Sequence, residues 1–316
     1  MESRVALLFP GQGSQYVGMG AELAETPFSS YLEQADEVLG YRLSELMLNG
    51  PEDQLMQTEN TQPAILTYSA ALFAKISPLL QDRAGGVSMV MGHSVGEYAA
   101  LVAAGAIQFE DAVRLVHLRG KFMQEAVPAG VGAMYAVTKV PADIVEEACT
   151  ESSQPESQVS PANYNDPLQT VISGEASACE RAVAWIDERV SKPHRIVKLK
   201  VSAPFHSPLM TPAADKLRDE LNAVSIRPNE IDYIANIDAK RYPAGTSPDT
   251  IRDNLYRQVA GSVLWAQSFS GLSEDTVCLE CGPGRVLTGL GRRTKPEIKV
   301  LPLDKLDDPE ALVSEL

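Results

Sequence analysis

Two short apolar runs stand out along the chain, Val5-Ala6-Leu7-Leu8-Phe9 and Val87-Ser88-Met89-Val90-Met91. Neither alternates strictly with polar residues, which is the pattern of strands buried on both faces of a sheet. Pro10-Gly11 stops the first and Gly92-His93-Ser94 turns the second. Helical spacing of apolar positions predicts helices over about 28–39, 61–80, 95–104 and 110–126. The last begins with Glu110 and Asp111, where acidic groups complement the helix dipole. The most apolar stretch, 98–107, is Ala-rich and too short to cross a bilayer, so it reads as a buried helix.

Pro128-Ala129-Gly130-Val131-Gly132 interrupts this pattern. Beyond it the order is a strand at 133–137, a helix near 141–150, strands near 159–163 and 169–173, a helix at 176–190 and a strand at 195–201. That β-α-β-β-α-β order is the ferredoxin-like unit. A late strand at 277–280 runs into Gly282-Pro283-Gly284 and a helix near 285–292. No internal repeat is present, and the polar stretch 151–158 reads as a surface loop. The fold class expected is α/β. A large α/β-hydrolase-like subdomain with a parallel-sheet core would span 1–130 and 200–316, with a small ferredoxin-like subdomain inserted at 131–199.

Composition narrows the function classes. The 316 residues carry 27 Lys+Arg against 42 Asp+Glu, a formal charge of −15. So negative a chain repels phosphate backbones and anionic lipid, which argues against nucleic-acid and membrane partners. Apolar and charged fractions of 44% and 22% are those of a globular chain. Four cysteines are too few for a disulfide scaffold. The Cys278/Cys281 pair lacks a second CxxC or CxxH to complete a metal site, so a structural role is expected and no metal. Arg4 is followed by only five apolar residues, short of a signal-peptide core, and a cytoplasmic location is expected.

The chemistry centres on Gly92-His93-Ser94-Val95-Gly96, a G-x-S-x-G sequence with a buried strand before it and a helix after it. This is the context of a nucleophile elbow, in which a sharp turn exposes the serine hydroxyl at a helix N-terminus; Ser94 is the candidate nucleophile, against a purely structural turn. A hydroxyl nucleophile needs a base. Of four histidines, His93 is held by the turn, His117 lies mid-helix and His194 sits in a polar turn. His206 lies in Ser202-Ala203-Pro204-Phe205-His206-Ser207-Pro208, where two prolines restrain the chain, and is the candidate base. No Asp or Glu stands out as its orienting partner, so a backbone carbonyl is an option. Arg119 shares its helical face with Leu115, Val116, Phe122 and Met123. A guanidinium there needs an anion, because an unpaired buried charge is costly. Spacing alone leaves a structural ion pair and a substrate-carboxylate clamp equally open. Gly11-Gln12-Gly13-Ser14-Gln15 after the first strand fits neither nucleotide-binding template. Such a turn can instead lend the Gln12 N–H, with that of Val95, to an oxyanion hole.

Read together, these motifs resemble the malonyl-CoA:acyl carrier protein transacylases of type II fatty acid synthesis and the related polyketide synthase acyltransferases. The resemblance is carried by Phe9-Pro10-Gly11-Gln12-Gly13-Ser14-Gln15, Thr61-Gln62-Pro63-Ala64, Gly92-His93-Ser94-Val95-Gly96-Glu97-Tyr98, Arg119-Gly120-Lys121-Phe122-Met123-Gln124, Ala203-Pro204-Phe205-His206-Ser207 and Gly282-Pro283-Gly284. Val95 stands where such proteins frequently have Leu. The resemblance implies a malonyl ester on Ser94, His206 as general base and acid, and Arg119 on the malonyl carboxylate, supported by Gln62. It implies Gln12 and Val95 as the oxyanion hole and the carbonyl of Leu264 as the group orienting His206. It places Asn163 and Asn165 near the thioester arm of the carrier and makes Phe205 a barrier to α-branched acyl groups, a preference of about 1–3 kcal/mol. Malonyl-CoA and an acyl carrier protein would be the partners, the chain a monomer, and no cofactor needed, since malonyl-CoA and the carrier's phosphopantetheine are substrates. The alternatives are a stand-alone acyltransferase of a polyketide or polyunsaturated-lipid synthase, a serine thioesterase or esterase, and a non-catalytic docking protein. Carriers of this kind are themselves acidic, so docking needs a local basic patch. Lys192, Arg195, Lys198 and Lys200, or Arg292, Arg293 and Lys295, are the candidates.

Overall fold

The computed structural model describes residues 4–23, 26–84, 86–128, 130–201, 203–304 and 312. Ala129 and Ser202 of the motifs above lie outside the described residues. The chain begins with β1 (Arg4–Phe9), α1 (Ser29–Leu39), α2 (Leu43–Asn49), α3 (Glu52–Leu55), α4 (Thr58–Ala84), β2 (Met89–Gly92), α5 (Gly96–Ala103) and α6 (Phe109–Glu125). It continues through β3 (Gly132–Thr138), α7 (Ala142–Ser152), β4 (Val159–Asp166), β5 (Gln169–Glu175), α8 (Ala176–Arg189) and β6 (Arg195–Lys198). It returns as α9 (Thr211–Ala223), β7 (Asp232–Ile234), β8 (Arg241–Tyr242), α10 (Pro248–Ala260), α11 (Trp265–Ser270), β9 (Thr276–Glu280), α12 (Val286–Thr294) and β10 (Lys299–Pro302).

One sheet has the order β10-β9-β1-β2-β7-β8, parallel except for the β7/β8 edge pair. Its central strand explains the first apolar run. Val5, Leu7 and Phe9 enter the core on one face, while Ala6 and Leu8 pack with Trp265, Phe269, Leu287 and Leu290 on the other. Both faces are dry, so no polar alternation survives. Cys278 and Cys281 divide between the same two faces, and all four cysteines are buried and unpaired. From β1 the chain builds outward to β2 and β7 on one side and to β9 and β10 on the other. The crevice at the carboxyl ends beside β1 is therefore the topological switch point, where ligands bind in open α/β sheets.

The second sheet is antiparallel, in the order β4-β5-β3-β6, with α7 and α8 covering one face. This is the ferredoxin-like arrangement. Its β4 is tied to the larger part by Val263 N–H to Ala162 O (2.8 Å), Tyr164 N–H to Val263 O (2.9 Å) and Ser262 Oγ–H to Pro161 O (2.7 Å). Helix α4 is long and apolar enough to cross a membrane by length and composition, yet two thirds of its most apolar stretch, 67%, is buried inside the protein. Its apolarity serves the core, against α6 and α1.

Candidate active site

Ser94 sits between β2 and α5 with φ of 52°, a left-handed backbone that a non-glycine residue adopts only when its surroundings impose it. The flanking glycines make the turn possible. A Cβ on Gly92 would stand 2.0 Å from the Gly96 carbonyl, and one on Gly96 would stand 2.1 Å from Phe9 O. The Asn236 side chain braces the turn, accepting the Ser94 N–H (2.7 Å) and donating to Gly92 O (2.6 Å).

His206 also has a left-handed backbone, φ 56°, and is 4% exposed. Its Nε2 lies 2.8 Å from Ser94 Oγ. Its Nδ1 lies 3.0 Å from Gln258 O and 3.1 Å from Gly261 O. Carbonyls only accept, so Nδ1 carries the proton and Nε2 is left to accept from the serine. Burial, and then the positive Arg119, push the imidazole down to about 3, so it is a neutral base at physiological pH. The orienting carbonyl is therefore not that of Leu264. Leu264 O accepts the Ser268 N–H (3.0 Å) and Oγ–H (2.8 Å) at the start of α11. The end of α10 supplies the carbonyls instead, because the last turn of a helix leaves them without intrahelical partners.

Arg119 is 2% exposed and its partners are neutral. Nη1 donates to Gln62 Oε1 (2.7 Å), and Nη2 to Gln258 Oε1 (3.0 Å) and Ser94 Oγ (3.2 Å). The guanidinium stands 5.8 Å from the Tyr98 ring centre, and Nε has no hydrogen-bond partner among the described residues. No structural ion pair to Arg119 occurs among the described residues, and its charge is aimed at the serine.

Ser94, His206, Arg119, Gln62, Gln12, Asn163 and Phe205 line one cavity of about 110 Å³, walled by Met123, Met134, Leu199 and Val201. Gln12 and Val201 also line a wider groove of about 480 Å³ that includes Lys121 and Lys200. Val95 immediately precedes α5, so its N–H opens that helix beside the serine. Asn165 does not line the cavity. Its Oδ1 meets His93 Nε2 at 2.8 Å, and the His93 ring lies 5.7 Å from that of Trp265, tilted by 52°. His117 is half-buried, with Nδ1 3.0 Å from Glu59 O at the start of α4.

Three residues of the site escaped the sequence reading as functional groups: Gln258, Asn236 and Glu97. Gln258 had a signal, since it shares a buried helical face with Ile251, Leu255 and Val259. Glu97 is quoted within the elbow motif but has no apolar or spacing cue to a role, and Asn236 follows a three-residue strand that the pattern did not predict.

A strained serine on a strand–helix turn, a neutral histidine on its oxygen and a buried arginine define the class of serine-nucleophile acyl-transfer proteins. An acyl transferase domain model matches residues 6–294. The malonyl CoA-acyl carrier protein transacylase of Escherichia coli K12 is 43% identical over 99% of both chains. A crystal structure of an acyl carrier protein S-malonyltransferase from Vibrio cholerae superposes with a TM-score of 0.90 at 40% identity, covering 98% of this chain and 100% of that one. A malonyl-transacylase in complex with a type II polyketide synthase acyl-carrier protein matches with a TM-score of 0.91 at 40% identity, covering 99% of this chain and 100% of that one. The chain belongs to the malonyl CoA-acyl carrier protein transacylase family, within the acyl transferase domain proteins.

Proposed function

We propose that the chain transfers a malonyl group from malonyl-CoA to the pantetheine thiol of an acyl carrier protein in fatty acid biosynthesis, through an ester on Ser94. The observation that carries this reading is the convergence on Ser94 Oγ of His206 Nε2 at 2.8 Å and Arg119 Nη2 at 3.2 Å. In a malonyl ester one methylene separates the carbonyl from the free carboxylate, so a guanidinium beside the serine can hold that carboxylate.

His206 takes the Ser94 proton as the oxygen attacks the thioester carbon. The N–H groups of Gln12 and Val95 stabilise the oxyanion, the C–S bond breaks, and His206 returns the proton to the CoA thiolate. The carrier thiol then repeats the steps in reverse, and the carboxylate held on Arg119 keeps the ester oriented for it. The Ser94 Oγ carries both half-reactions, so the kinetics are ping-pong. Asn163, at the cavity wall on β4, faces the thioester arm, and Phe205 limits branching at the α-carbon. The reaction uses only groups of the chain and its two substrates, the malonyl-CoA thioester and the carrier thiol, and we place it in the cytoplasm with a monomeric enzyme.

Intact mass after incubation with malonyl-CoA tests this. A single malonyl adduct is expected, absent in Ser94→Ala and discharged by a phosphopantetheinylated carrier. An unmodified mass, or an adduct that persists in Ser94→Ala, overturns the reading. Discharge by polyketide carriers but not by fatty acid carriers would move the pathway and leave the chemistry standing.

A further inference from the structure

Among the described residues no carboxylate lies at contact distance from Arg119, yet one acid is built in behind it. Glu97, in the first turn of α5, is 0% exposed. Its Oε2 accepts from Gln258 Nε2 (2.7 Å) and from the Asn236 N–H (3.1 Å). Its Oε1 has no hydrogen-bond partner among the described residues. The same Gln258 amide presents its oxygen to Arg119 (3.0 Å), so one side chain bridges the acid and the guanidinium. Resting on the malonyl-transfer reading above, we infer that Glu97 is the resident counter-charge of Arg119 and takes up a proton when a substrate carboxylate arrives, which couples selection of acidic acyl groups to pH.

The electrostatics follow from the geometry. Without substrate, burial first and the charge of Asp238 last disfavour the carboxylate, while the two donors on Oε2 and then the Arg119 charge favour it. The balance leaves the Glu97 carboxyl raised to about 7, within reach of physiological pH. A substrate carboxylate on Arg119 places a second anion beside the first in a dry site. A proton from solvent on Oε1 removes that repulsion. Three of the neighbouring groups are moved away from this range. Tyr98 on its own helix and Tyr233 on β7 are raised by burial and His206 is pushed down. Burial also lowers Arg119 on α6, but a guanidinium keeps its proton in proteins. Asp238 is engaged by the Tyr242 hydroxyl and by Lys240.

The sign is fixed: binding of an acidic acyl group favours protonated Glu97, so selectivity for it falls as pH rises through neutrality. The experiment is the ratio of kcat/KM for Ser94 loading from malonyl-CoA and from acetyl-CoA, between pH 6 and 8.5. The CoA phosphates are common to both and cancel. In the wild type the ratio should fall about fivefold or more, the scale of typical coupling between sites. Glu97→Gln keeps an acceptor oxygen for Gln258 and Asn236, and should hold the ratio flat at its low-pH value. Independently of how Glu97→Gln folds, Ser94→Ala binding malonyl-CoA should take up more protons at pH 8 than when binding acetyl-CoA. Calorimetry in buffers of different ionisation heat reads this. A pH-independent wild-type ratio, a slope retained in Glu97→Gln, or equal proton uptake overturns the inference. Failure of the wild type to load malonyl at all would instead overturn the malonyl reading, and the missing mass adduct identifies that case.

Discussion

Arg119 shows how one buried residue separates binding from structure. It is fully sequestered, its three side-chain partners are neutral, and two of its donors sit within 3.2 Å of Ser94 Oγ or the Gln258 amide. A lysine could keep the charge but not the planar fork that holds Gln62 and Gln258 together and that the proposed reaction needs for a carboxylate. Arg119→Lys should therefore raise KM for malonyl-CoA roughly 10- to 150-fold, the value of about 1.5–3 kcal/mol for hydrogen bonds to a charge. Acetyl-CoA loading should change less than threefold. Steady-state loading with the two thioesters checks it, and equal losses with both would make Arg119 a structural cation. Arg119's helical neighbours left its role open in the sequence, because spacing shows which face is apolar but not which polar groups another helix brings to that face.

At the scale of elements, the site is made largely of ends, the carboxyl ends of β1 and β2, the start of α5 and the last turn of α10, with Arg119 reaching in from the middle of α6. Strand–helix junctions were legible because a buried strand, a glycine turn and a helix are contiguous in the chain. The strands β7, β8 and β10 and the helices α2, α3, α9, α10 and α11 did not emerge from the pattern. β7, β8 and β10 have only three, two and four residues, too short for a periodicity to register. A second junction follows the same logic away from the site. Glu280, at the end of β9, is 0% exposed and accepts the N–H groups of Leu287 (2.8 Å) and Thr288 (2.7 Å) and the Thr288 hydroxyl (2.7 Å), capping α12. Glu280→Ala would leave those donors buried without an acceptor. It should destabilise the protein by about 1–3 kcal/mol, read by denaturant unfolding, with malonyl loading retained in the folded fraction.

Across the whole molecule, the negative charge sets where a partner can land. Of the two basic clusters, the one on α12 is largely committed to the chain itself. Arg293 Nε pairs with Asp166 at 2.7 Å and Lys295 Nζ donates to Leu272 O at 2.7 Å. Lys192, Arg195, Lys198 and Lys200 are all exposed along and beside the edge strand β6, and Lys200 lines the groove adjoining the Ser94 cavity. An acidic carrier protein placed there could reach the serine with its thioester arm. Reversing Lys192, Arg195 and Lys198 to Glu should raise KM for the carrier about tenfold or more at low salt while loading from malonyl-CoA stays unchanged, with the difference shrinking as salt rises. An unchanged carrier KM would remove β6 from the docking surface.

The sequence by itself singled out Ser94 as the candidate nucleophile, His206 as the candidate base and Arg119 as a cation on an apolar face, because each is written locally. Ser94 is marked by five consecutive residues between a strand and a helix, His206 by two flanking prolines and Arg119 by its apolar face. Only the tertiary structure decided what these groups do to one another. The acceptors for His206 Nδ1 are main-chain oxygens 52 and 55 residues away, and a carbonyl has no letter of its own in a sequence. The amide that joins Arg119 to Glu97 comes from 139 residues beyond the arginine. Its effect depends on burial, which strips water from the guanidinium and the carboxylate and makes each sensitive to the other.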